Sequence, residues 1–90
     1  MDKYVSQLQA AISDFRILQL KYTNGIGVVS EREIEPLALY FEQGEWKLIA
    51  KCKMRKEKRT FLLKRFFSLE LTKTEFAPHQ FSLEDYFRQP

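Results

Sequence analysis

Ninety residues are too few for two hydrophobic cores, so the chain is one domain that buries roughly 60–65% of its unfolded surface. Its 44% hydrophobic content, with eight Phe, four Tyr and one Trp, is that of a folded globule. The formal charge is only +3, but it is unevenly spread. No apolar run approaches the ~18 residues needed to span a bilayer, and Met1-Asp2-Lys3-Tyr4 lacks the apolar core of a signal peptide. A single Cys excludes an internal disulfide and suits a reducing, cytoplasmic setting.

In chain order, residues 2–15 carry Tyr4, Val5, Leu8, Ala11, Ile12 and Phe15 at helical spacing, which predicts an amphipathic helix capped by Asp2. Leu18, Leu20 and Tyr22 alternate with Gln19 and Lys21, the pattern of a strand. Asn24-Gly25 and Gly27 supply a turn. A second extended run covers Val28 to Phe41, with an edge, bulge or bend expected at Pro36. Gln43-Gly44 turns the chain again.

Glu45 to Lys53 is the clearest strand. Trp46, Leu48, Ala50 and Cys52 point one way, and Lys47, Ile49, Lys51 and Lys53 the other. A charged turn near Arg55 to Lys58 leads into a return strand, Arg59 to Leu63, with Phe61 and Leu63 inward. Strict alternation would drive Arg65 into the core, which is costly for an unpaired charge. Either the strand breaks at Lys64-Arg65, through a short helical turn, or Arg65 lines a pocket. Phe67, Leu69 and Leu71 begin a last strand. Pro78 ends it, and Ser82 with Glu84-Asp85 opens a short terminal helix.

The predicted fold is mainly β (α+β). It is an Sm/SH3-like five-stranded antiparallel barrel with an N-terminal helix and a short C-terminal helix. A half-open sheet with the helix on its face, or an OB-like barrel, are the alternatives. Residues 1–90 form one domain, with its core at about 8–76 and a tail at 77–90.

The charge concentrates in one place. Lys51 to Arg65 holds eight of the fifteen basic residues and a single acid, Glu57, a net +7 in fifteen positions. The remaining seventy-five residues carry −4. Such a basic end steers phosphates or carboxylates towards itself.

The sequence also resembles a known family. The resemblance runs through Ala11-Ile12 and Leu18-x-Leu20-x-Tyr22, then Arg32-Glu33-Ile34-Glu35-Pro36-Leu37 and Trp46-Lys47-Leu48-Ile49-Ala50. It continues through Arg55-x-x-x-Arg59-Thr60-Phe61-Leu62-Leu63-Lys64-Arg65-Phe66, Leu69 and Phe76. In this order and spacing the pieces are similar to the WYL domain, the regulatory module found behind helix-turn-helix DNA-binding domains in many bacterial transcription factors. The resemblance implies an Sm/SH3-like barrel with an N-terminal helix, and a helix-turn-helix domain as partner in cis or in trans. It departs from the family pattern at Lys47, where the family has Tyr, and at Lys64, where the family usually has an acid. Both changes add positive charge and favour a more anionic ligand.

These readings select Arg32, Lys47, Lys51, Lys53, Arg55, Arg59 and Arg65 as candidate effector- or nucleic-acid-binding residues. Lys47, Lys51 and Lys53 alternate on one strand face, which is either a solvated outer face or a ligand face. Arginine's planar fork suits phosphate or carboxylate, so Arg55, Arg59 and Arg65 are the candidate grips. Their competing role is an ion pair with Glu33, Glu35 or Glu70. Arg32 is singled out by the resemblance alone. Trp46 and Phe61 read as core, and Phe66 as core or a stacking platform.

His79 stands alone, without a metal-ligand set, and no catalytic triad or phosphate loop appears, so neither an enzyme nor a cofactor is expected. The expected function is sensing of an anionic effector, such as a single-stranded nucleic acid, a nucleotide or another small anion, and the resemblance allows a homodimer. The alternatives are an interaction or oligomerisation module using Phe81, Tyr86 and Phe87, and an Sm-like RNA-binding ring.

Overall fold

The computed structural model describes residues 3–24, 26–53, 57–77 and 81–88. The chain runs α1 (Val5–Asp14), β1 (Arg16–Thr23), β2 (Val29–Glu42), β3 (Glu45–Cys52) and β4 (Lys58–Leu62). A 3₁₀ turn at Leu63–Arg65 leads into β5 (Phe66–Glu75), and α2 (Leu83–Arg88) follows. All four ladders are antiparallel, and the sheet order is β4-β3-β2-β1-β5.

Helix α1 buries Val5, Leu8 and Ala11, the stripe that helical spacing predicts. They close a core with Leu18, Leu20, Ile34, Leu48, Ala50, Cys52, Phe61, Leu63, Phe66 and Leu69 from every strand and the 3₁₀ turn. Trp46 is half-buried and packs against this cluster. The helix ends at Phe15, which adopts φ 53° and donates its N–H to the Ala11 carbonyl. The Asp2 cap and the Pro78 and His79 readings lie outside the described residues.

Pro36 marks a bulge: the β2–β3 register shifts between Pro36 and Ala38. A proline gives no N–H to a ladder, so the strand skips a residue there. The β2–β3 hairpin turns at Gln43-Gly44, with φ 55° and 78°. Glycine meets no steric penalty in that left-handed region.

The predicted barrel is corrected to an open sheet. No ladder joins β4 to β5 among the described residues. β4 has only five residues, and the 3₁₀ turn takes the next three out of ladder geometry before β5 crosses to the far edge. Side chains fill the seam instead. The Leu62 N–H donates to Tyr22 Oη at 3.2 Å, and the Tyr22 ring meets Phe61 and Phe66 edge-on at 5.2 and 6.1 Å. Tyr22→Phe keeps the ring and removes that acceptor. It should lower unfolding free energy by about 1 kcal/mol in urea titrations, and an unchanged midpoint would show that the seam does not need the bond.

The 3₁₀ turn also resolves the Arg65 conflict. It lifts Lys64 and Arg65 out of strand alternation, leaving Lys64 exposed and Arg65 half-buried. It resets parity as well, so Phe66 is buried and Phe67 is 65% exposed.

Candidate functional site

The hairpin of β3 and β4 carries most of the predicted cations, and its register sorts them by face. Residues directly opposite in a ladder point the same way. Leu48 stands opposite Phe61, and Ala50 opposite Arg59, so Arg59 shares the core face at an exposed edge position. Arg32 stands opposite Leu20 and shares that face. The Arg32 guanidinium lies 5.9 Å from the Phe61 ring centroid, and Nη1 donates to Cys52 Sγ at 3.9 Å. Arg32 and Arg59 therefore belong to the rim of the core side.

The outer face holds a second group. Lys47 stands opposite Leu62, Ile49 opposite Thr60, and Lys51 opposite Lys58. Lys51 also faces Glu35 across the β2 ladder, but the two make no ion pair. Like charges set directly opposite each other repel and destabilise a sheet. Lys51, Lys58 and Arg59 form no ion pair among the described residues. These three lie on an edge strand and its neighbour.

The other candidates have acidic neighbours. Lys47 Nζ pairs with Glu42 at 3.2 Å. Lys53, just past β3, pairs with Glu33 at 3.5 Å. Arg65 belongs to a third cluster at the start of β3, with Lys64, Lys47 and Glu45. Lys64 donates to the Glu45 carboxylate, which is about one-third exposed. That hydrogen bond, with the charges of Lys64, Lys47 and Arg65, holds the Glu45 carboxyl below its ordinary value near 4.5 despite opposing desolvation. Arg55 lies outside the described residues.

The Glu45 cluster gives a pH signature. A carboxyl with a depressed folded pKa contributes its stability fully above the unfolded value, and loses it as pH falls through the folded one. Glu45→Gln should therefore flatten the fall in Tm below pH 4.5. An equally steep fall in the variant would contradict the pairing.

Lys58 is the participant that sequence reasoning passed over. Its signal was the hairpin register, which sets it against Lys51. A shallow open depression between α1 and β2, lined by Gln9, Ile12, Ser13, Leu37, Ala38 and Leu39, has no charged lining and is separate from these cations. Among the described residues no three His, Cys, Asp or Glu side chains converge to hold a metal. No helix there is long and apolar enough to cross a membrane. What the arrangement offers is charge-assisted hydrogen bonding to an anion lying along the β4 edge.

Comparison with known proteins follows this geometry. The WYL domain family model matches residues 3–71. The solved structure of proteasome accessory factor B/C (PafBC) of Arthrobacter aurescens is similar over 84% of this chain, at 30% identity and a TM-score of 0.73. The match spans 13% of the PafBC chain. No curated protein matches. With three-quarters of its length matched by the family model, this chain belongs to the WYL domain family.

Proposed function

We propose that this WYL domain is the ligand-sensing part of a bacterial transcriptional regulator and that it binds an anionic effector at the β3–β4 edge. One observation carries the reading: Lys51 faces Lys58 across the ladder, with Arg59 next in sequence, and none of the three forms an ion pair among the described residues. An anion along β4 relieves that repulsion, and the edge position lets an extended polyanion meet Arg59 on one face and Lys51 on the other. Arg32 adds charge from the core-side rim. Lys47 and Arg65, tied to Glu42 and Glu45, contribute field rather than grip.

Family membership supports a regulatory role, exercised on a helix-turn-helix domain in cis or in trans, within a dimer and in the cytosol. The role is binding without catalysis. The five-strand order with a 3₁₀ turn before β5 supports reading the sheet as an opened Sm/SH3-like barrel. A single-stranded nucleic acid suits the site best, because its phosphates repeat along an edge as the cations do.

A fluorescently labelled single-stranded oligonucleotide, titrated with the protein and followed by anisotropy at two salt concentrations, tests the proposal. Gripping phosphates releases counterions, so binding should weaken as salt rises. Absence of binding at low salt would reject a nucleic-acid effector.

A further inference from the structure

The tail does not project from the domain. At one end of the 81–88 segment, the Phe81 ring lies 5.4 Å from Lys58 Nζ. At the other, Phe87 packs edge-on against Tyr40, with ring centroids 5.3 Å apart and planes at 80°. Both anchors belong to the outer face of the sheet. Tyr40 stands opposite Lys47, and Lys58 opposite Lys51. Between them lies Ile49, opposite Ala38 and Thr60.

Ile49 is fully buried, yet its pleat turns it away from the Leu48, Ala50 and Cys52 side, and it is not part of the core cluster. Lys47, on the same face, has a side chain only 14% exposed. An open outer face would leave both wet. The line from Phe81 to Phe87 crosses this ground. Leu83, Tyr86 and Phe87 share one side of α2 by their spacing, and Leu83 and Tyr86 are half-buried.

The attachment is slight. Helix α2 has six residues, none of them buried, and so few residues do not hold a helix alone. Its order comes from Ser82 Oγ, which accepts the Asp85 N–H, and from docking on the sheet. A short segment with no buried residue opens far more readily than the core does.

We propose that residues 81–88 are a strap that occupies the outer basic face, and that a polyanion reaches Lys51 there only when the strap leaves. This rests on the reading of the β3–β4 edge as an anion site. Because ligand meets only the open fraction, apparent affinity is reduced by that fraction. The tail would thereby set the sensor's threshold.

The test uses the whole chain carrying Phe81→Ala and Phe87→Ala, which removes both anchors and no cation. Lysines are acetylated with N-acetoxysuccinimide and followed by mass spectrometry, and the labelled oligonucleotide is titrated in parallel. Freed of the strap, Lys47 should acetylate about fivefold faster and the oligonucleotide should bind about tenfold tighter. Tyr40→Ala, which removes Phe87's seat from the sheet side, should move both readouts in the same direction. Unchanged Lys47 acetylation in both variants would overturn the strap, whatever the oligonucleotide does. Faster acetylation with unchanged oligonucleotide affinity would overturn its gating role. If parent and variants alike fail to bind the oligonucleotide at low salt, the anion-site reading falls and gating falls with it. Acetylation then still decides whether the tail covers the face.

Discussion

Replacing Lys51 and Arg59 together by Ala should weaken oligonucleotide binding by about 30- to 100-fold. Hydrogen bonds to charged groups contribute about 1.5–3 kcal/mol each, and exposed ones fall at the low end. Two such contacts sum to at most roughly 3 kcal/mol, or about 100-fold at about 1.4 kcal/mol per tenfold, and less where solvent competes. The salt dependence should change too. Each phosphate contact to a single strand adds about 0.7 to the slope of log affinity against log salt, so losing two should reduce it by about 1.4.

The fold should survive this double substitution. Arg59 is exposed and Lys51 half-buried, and neither belongs to the core cluster. Removing Lys51 also relieves its repulsion with Lys58. Lys53→Ala is the control, because Lys53 already pairs with Glu33 away from the ladder. It should leave affinity within about threefold, as an exposed ion pair carries little energy. A double variant with the parent's affinity and salt slope would show that the anion, if one binds, is held elsewhere.

Leu48→Ala should have the largest effect on stability, about 2–5 kcal/mol. Leu48 is fully buried and sits between Leu39 on β2 and Phe61 on β4 in the ladder rows. Truncation removes its apolar surface from the core and leaves a cavity that neighbouring strands, tied by backbone hydrogen bonds, cannot close. Domains of this size hold roughly 5–15 kcal/mol in total, so the loss is a large share. At about 4–8 °C per kcal/mol, Tm should fall by at least ~10 °C. Ile26→Ala, at a position 84% exposed, should change stability by less than about 0.5 kcal/mol. A fall of only a few degrees for Leu48→Ala would mean that the core is not organised about β3.

Much of this architecture is legible in the chain because period-2 patterning is a local property. Leu48, Ala50 and Cys52, with Phe61 and Leu63 on the return, follow strict alternation and are all buried. The break at Lys64-Arg65 is legible for a different reason. Continuing the strand would bury a charge, and the chain takes a 3₁₀ turn instead. The terminal helix announces itself through Ser82, whose hydroxyl accepts the Asp85 N–H.

What patterning misses is set by distant contacts. Ile49 reads as an outward residue and is buried, and the tail anchored on the same face at Tyr40 and Lys58 comes from far along the chain, which periodicity does not encode. Of the two readings of Phe66, core and stacking platform, the 3₁₀ turn selects core by resetting the parity of β5, and it leaves Phe67 exposed. Sheet closure depends on curvature and strand length rather than hydropathy, so five strands with the right turns are compatible with barrel or open sheet alike. For the site, the sequence shows one basic stretch, and the hairpin register divides it. Arg59 and Arg32 take the core-side rim, Lys51 and Lys58 the outer face, and Arg65 joins Glu45 at the other end of β3.

Amide chemical-shift mapping of the ¹⁵N-labelled protein, titrated with the single-stranded oligonucleotide, tests the central claim most directly. The account predicts that shifts concentrate on Lys51, Lys58 and Arg59, with a smaller response at Arg32. Shifts confined to the β5 edge from Phe67 to Lys73, or to the hairpin at Ile26 to Val29, would contradict it.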